Sequence, residues 1–84
     1  NNAANTVLKS DLKNIQSSLE LELHDNGVYP SNDDNLPRSS GTTIEYSSNG
    51  YEFCVIAFSN IADNSYYLDS DSGAISEGEC DPID

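Results

Sequence analysis

Residues 8–30, LKSDLKNIQSSLELELHDNGVYP, decide the fold. Leu8, Leu12, Ile15, Leu19 and Leu23 recur at spacings of three and four, so on a helical wheel they share one narrow arc, and Ala4 joins them a turn earlier. The pattern predicts an amphipathic helix over about residues 3–25 whose stripe packs a core. Its end is also encoded. Gly27 adopts the left-handed conformation of a C-terminal cap without steric cost, with Asn26 the next candidate. Pro30 forbids continuation and pushes Tyr29 to an extended conformation. His24, in the last turn, suits the negative end of the helix dipole when protonated.

The rest of the wheel divides in two. Lys9, Lys13, Gln16 and Glu20 form a polar side. Ala3, Val7, Ser10, Asn14, Ser17 and Leu21 form a third side that carries no charge. A surface helix needs one apolar stripe only. This face is therefore either a mild polar surface with one exposed leucine, which is ordinary, or a second packing face buried against other molecules.

Beyond the helix, residues 26–41 read as a loop rich in Ser, Asn, Asp, Pro and Gly. The period then changes to two. Residues 42–47 read as a strand, and Asn49-Gly50 as a type I′ hairpin in which both residues take positive φ. Residues 51–58 form the longest strand, with Phe53 and Val55 on one face and Cys54, Ile56 and Phe58 on the other. Apolar residues on both faces predict a central strand covered on both sides. Residues 66–69 give a third strand, Asp71-Ser72-Gly73 a turn, and residues 74–77 a short edge strand. The expectation is one α+β domain over residues 1–84: one helix packed on a single antiparallel sheet of three to four strands within residues 42–78, followed by a tail over 79–84.

Eighty-four residues, 36% of them hydrophobic, bury a modest core. Cys54 and Cys80 lack the C-x-x-C spacing or neighbouring histidine of a zinc or redox site. As a disulfide they would contribute roughly 3–4 kcal/mol and imply an oxidising compartment; two unpaired thiols are the alternative. The formal charge is −12. Residues 1–38 hold six acids and three bases, whereas residues 39–84 hold nine acids and no Lys or Arg. Binding of nucleic acid or of anionic membrane surfaces needs basic clusters, and this chain has none. No apolar run approaches the ~20 residues that span a bilayer.

The chain offers residues for two kinds of site chemistry. Asp69 and Asp71, with Glu77 beyond, match the first spacing of a calcium loop, but Gly73 falls one place early and the third acidic ligand is missing. A turn explains the same residues. Weak surface binding of calcium by Asp69, Asp71 and Glu77 stays a secondary expectation, and no other cofactor is implied. Catalysis needs a nucleophile beside a base, and the single histidine sits at a helix end. No enzymatic arrangement emerges.

The phrase Leu12-x2-Ile15-x3-Leu19-Glu20-x3-His24-Asp25-Asn26-Gly27-x-Tyr29-Pro30 resembles the type IV pilin and pseudopilin family, in which an amphipathic helix ends in an Asp-Asn-Gly turn and an aromatic-Pro pair. The strand meander and a second cysteine late in the chain agree with it. The resemblance implies a cleaved leader and an apolar half-helix upstream of residue 1, which anchors in the membrane before assembly and afterwards forms the filament core. It also implies a disulfide pinning the C-terminal region to the sheet, a role open to Cys54 and Cys80. The chain has no Trp and no Pro-Trp-Gly-Asn segment, so it is closer to a pilus subunit than to a pseudopilin. The implied partners are other pilin subunits, contacted through Ala3, Val7, Ser10, Asn14 and Leu21, with a host or cell-surface receptor as a further partner. The implied location is an extracellular, cell-surface pilus. The competing expectation is a freestanding secreted adhesion module, stapled by a disulfide, with Tyr29, Tyr46, Tyr51, Tyr66 and Tyr67 as its contact surface.

Overall fold

The computed structural model describes residues 2–84; Asn1, the first residue of the expected domain, lies outside the described residues. Helix α1 runs Asn2–Asn26, followed by strands β1 Thr43–Ser48, β2 Phe53–Phe58, β3 Tyr66–Asp69 and β4 Ser76–Glu77. The strands form one sheet in the order β1-β2-β3-β4, every pair antiparallel. The α+β architecture expected from the sequence is the one observed.

The sheet has two faces because side chains alternate along each strand. Ile44 opposes Ala57 and Tyr46 opposes Val55; Val55 in turn opposes Leu68, and Ala57 opposes Tyr66. These residues, with Phe53, form the face under the helix, where Leu8, Leu12, Ile15 and Leu19 are fully buried and Leu36 from the long loop closes the side. Each such side chain contributes about 1.5–3 kcal/mol by leaving water. On the opposite face lie Cys54 and Ile56, both buried. The C-terminal tail covers them. Cys80 is disulfide-bonded to Cys54, and the Ile83 amide donates to Ser47 Oγ at 2.9 Å. β2 is thus the central, doubly covered strand that its apolar residues demand.

Three expectations need correction. Leu23 does not join the core: it is 37% exposed. A helix of 25 residues is about 37 Å long, whereas six-residue strands reach only about 20 Å. The last turn therefore overhangs the sheet. The β1–β2 connection is a four-residue loop over 49–52, not a two-residue type I′ turn, because only Gly50 has positive φ, at 93°. Asn49 instead closes the loop with its side chain. Its Oδ1 accepts the Tyr51 and Glu52 amides at 2.9 and 2.8 Å, so its own backbone need not turn left-handed. β2 accordingly begins at Phe53, and Tyr51 is 79% exposed. Finally, β4 is two residues long. Ser72 Oγ accepts the Ala74 amide at 3.2 Å, which draws residue 74 into the turn and out of the ladder.

The helix stop follows the expected logic. Gly27 has φ of 78°, and its amide donates to the Leu23 carbonyl at 2.8 Å, as in a left-handed cap. Tyr29 then turns back onto the sheet. Its amide donates to the Gly50 carbonyl at 2.8 Å, and its ring meets Phe53 edge-on at 4.8 Å.

A candidate assembly surface on the helix

With its apolar stripe committed to the sheet, α1 presents the rest of its circumference to solvent. Ala3, Val7, Ser10, Asn14, Ser17 and Leu21 are all exposed. Leu21 is 61% exposed and Val7 42%, which is unusual for large aliphatic side chains on a helix that already buries a full stripe. The five residues expected to face other subunits thus share one uncharged exposed strip. Beside Val7, an open hollow of about 320 Å³ is lined by Ala4, Leu8, Thr42 and Ile61, and Ile61 is itself 70% exposed. The uncharged surface therefore extends from the helix onto the loop between β2 and β3.

The flank of this strip is polar and partly tethered. Lys9 Nζ lies 5.0 Å from the centre of the Tyr66 ring, a cation–π contact that holds the side chain against β3. Gln16 Nε2 donates to the Gly73 carbonyl at 2.9 Å and ties the β3–β4 turn to the helix. Lys13 and Glu20 are exposed.

One polar residue on the buried side was not anticipated. Asp11 is buried, with Oδ1 accepting the Ser39 amide at 3.1 Å and the Ser39 hydroxyl at 2.7 Å. Its Oδ2 is also buried and has no hydrogen-bond partner. The signal was in the spacing: Asp11 follows Leu8 by three and precedes Ile15 by four, so it lies at the margin of the buried arc. It buckles the long loop to the helix near the loop's C-terminal end. Tyr46 does similar work nearer the loop's start, its hydroxyl donating to the Pro30 carbonyl at 2.7 Å. Burial raises the Tyr46 phenol above its ordinary value of 10.0, and the nearby Tyr29, Asp33 and Glu22 add to the rise.

The remaining candidates are dispersed. Glu77 opposes Tyr66 at one end of the β3–β4 ladder. Asp69 lies three residues along β3, about 10 Å away. Asp69 Oδ1 accepts the Ser72 amide at 3.0 Å as a turn residue does. The fold therefore does not bring Glu77 to Asp69 and Asp71. Among the described residues no group of three or more His, Cys, Asp or Glu side chains is placed to hold a metal ion. His24 is exposed, 3.3 Å from its neighbour Asp25. Nor do the five tyrosines form one surface: Tyr66 is buried, Tyr29 and Tyr46 pack against the core, and Tyr51 stands in solvent on the β1–β2 loop. No described helix is long and apolar enough to cross a membrane.

Comparison of the chain with models of protein families, with curated proteins and with solved structures returns no match.

Proposed function

We propose that this chain is a structural subunit of an extracellular filament of the type IV pilus kind, assembling through the outer face of α1. The observation that carries the reading is the uncharged strip of Ala3, Val7, Ser10, Asn14 and Leu21, exposed on a protein of net charge −12. Interface cores are depleted in charge because an unpaired ion loses hydration there. On a chain this acidic, an uncharged strip is the surface best suited to touching another copy. The Cys54–Cys80 disulfide fits the oxidising surroundings of such a filament. The sequence phrase that ends α1 supports the same reading, since it resembles the pilin helix terminus.

Leu21→Asp tests this directly. Leu21 is mostly exposed, so the substitution leaves the thermal melting of the purified protein within about 0.5 kcal/mol of the parent. In cells displaying the filament, the same change is expected to abolish it, as judged by negative-stain electron microscopy. Filaments of normal length and number in the Leu21→Asp strain overturn the reading.

A further inference from the structure

Glycine follows asparagine at two places, Asn26-Gly27 and Asn49-Gly50. The pairing has a chemistry of its own. A glycine amide nitrogen, with no Cβ beside it to obstruct the approach, can attack the side-chain carbonyl carbon of the asparagine before it. The fold treats the two places in opposite ways. Asn26 is the last residue of α1, and the Gly27 nitrogen is committed to the Leu23 carbonyl at 2.8 Å. The Asn26 side chain acts as a donor, from Nδ2 to Glu22 Oε2 at 2.7 Å. At Asn49 the emphasis is reversed. Its Oδ1 accepts two backbone amides, Tyr51 at 2.9 Å and Glu52 at 2.8 Å, and Nδ2 donates to Glu52 Oε1 at 3.1 Å. The amide is thus oriented from both ends, with its carbonyl oxygen in a cradle of two N–H groups. The Gly50 nitrogen donates to the Ser48 hydroxyl at 3.0 Å instead of to a backbone carbonyl, and Asn49 itself is exposed to water.

We propose that Asn49 is a self-modification site at which the chain deamidates, with the Tyr51 and Glu52 amides acting as an oxyanion hole. The inference does not depend on the filament reading. The Gly50 nitrogen gives up its proton to solvent base, by way of the Ser48 hydroxyl, and bonds to Asn49 Cγ. Negative charge develops on Oδ1, where the two amides already point. Donors preorganised toward a developing oxyanion are worth about 10²–10³ each in enzymes. The Cγ–Nδ2 bond then breaks, Nδ2 takes a proton from water, and ammonia leaves behind a cyclic imide. Water opens the imide at Cγ to give aspartate, or at the main-chain carbonyl to give isoaspartate. One water is consumed and one ammonia released, and the chain gains a carboxylate. An aspartate there keeps both amide contacts but loses the donor to Glu52, so two like charges face each other. Isoaspartate inserts a methylene into the main chain next to Gly50, whose carbonyl accepts the Tyr29 amide at 2.8 Å. That product loosens the segment after α1 from the β1–β2 loop.

The test incubates the full chain at physiological temperature and pH, folded in buffer or unfolded in guanidinium chloride, with the disulfide intact in both arms. Trypsin cuts after Lys13 and Arg38, so Asn26 and Asn49 fall on different peptides. Mass spectrometry follows the mass gain of deamidation on each peptide with time, and isoaspartyl methylation reports the rearranged product. In the unfolded arm the two sites react alike. In the folded arm Asn49 is expected to react at least as fast as it does unfolded, and more than about tenfold faster than Asn26. A folded rate at Asn49 below the unfolded one shows that the same hydrogen bonds protect the amide, and overturns the proposal. Equal folded rates at Asn26 and Asn49 overturn it as well. In Asn49→Asp the mass gain on the peptide from Ser39 onward should vanish; a gain that persists lies at another asparagine and overturns the assignment.

Discussion

Replacing both cysteines, as Cys54→Ala/Cys80→Ala, removes a link between residues 26 apart. In the chain-entropy treatment a loop of that length restricts the unfolded state by about 3.5 kcal/mol at 25 °C. A chain of 84 residues has a net stability of about 4–12 kcal/mol, so the loss consumes about 30% of it or more. With about 4–8 °C of melting temperature per kcal/mol at this size, the midpoint should fall by about 14–28 °C. The folded-state effect is confined to one face. The tail over residues 79–84 loses its anchor and uncovers Ile56, which is 6% exposed in the intact fold, while the side chains of the helix-side core lie on the other face of the sheet and meet Cys80 only through the Val55 and Leu68 carbonyls. Thermal circular dichroism at 222 nm gives the midpoint. Amide chemical shifts of α1 at low temperature show whether the helix side is retained. A midpoint shift under about 5 °C would show that the link constrains little. Loss of α1 dispersion below the transition would refute the independence of the two faces.

Further substitutions separate core from overhang. Leu12→Ala and Ile15→Ala, at positions with no solvent exposure, should each cost about 2–5 kcal/mol in denaturant titrations, while Leu23→Ala in the overhanging turn should cost under about 1 kcal/mol; equal costs would contradict the placement of the sheet's end. Asp11→Ala should destabilise the protein by about 1–3 kcal/mol through loss of both Ser39 hydrogen bonds, measured by chemical denaturation, and a neutral outcome would mean that the unpartnered Oδ2 offsets them. Because burial raises the Tyr46 phenol, its protonated form is favoured in the fold: the stabilisation is complete below pH 10 and is lost as pH climbs through the higher folded value. Ultraviolet titration of tyrosinate should show one late-ionising group that disappears in Tyr46→Phe. Calcium at millimolar concentration should leave the melting midpoint where a chelator leaves it, and a shift of several degrees would show that Asp69 and Asp71 find a third ligand.

Elements whose signal is a period or a forced backbone were legible in the chain. The α1 stripe, the Gly27 stop and the two-sided burial of β2 follow from spacing and from glycine's freedom at positive φ. The features that escaped depend on lengths and on side-chain substitution for backbone. Leu23 continues the stripe faultlessly, and only the shortness of the strands beneath it leaves it in water. Asn49-Gly50 has the composition of a two-residue turn, yet the Asn49 side chain closes a four-residue loop without a left-handed backbone. Asp11 carries the wrong polarity for its buried position, and its reason, Ser39, lies 28 residues downstream. The third side of α1 was visible in the sequence as an absence of charge.

The two covers of β2 differ in when they become available. The helix that roofs one face precedes the strand in the chain, whereas the segment that seals the other is made after every strand. A polypeptide emerging N-terminus first can therefore assemble helix and sheet while Cys54 and Ile56 still face solvent. The cover of that face is fixed only when Cys80, the later of the two cysteines in the chain, bonds to Cys54. Chains cut short before residue 80 would leave Cys54 without its partner and Ile56 without its cover.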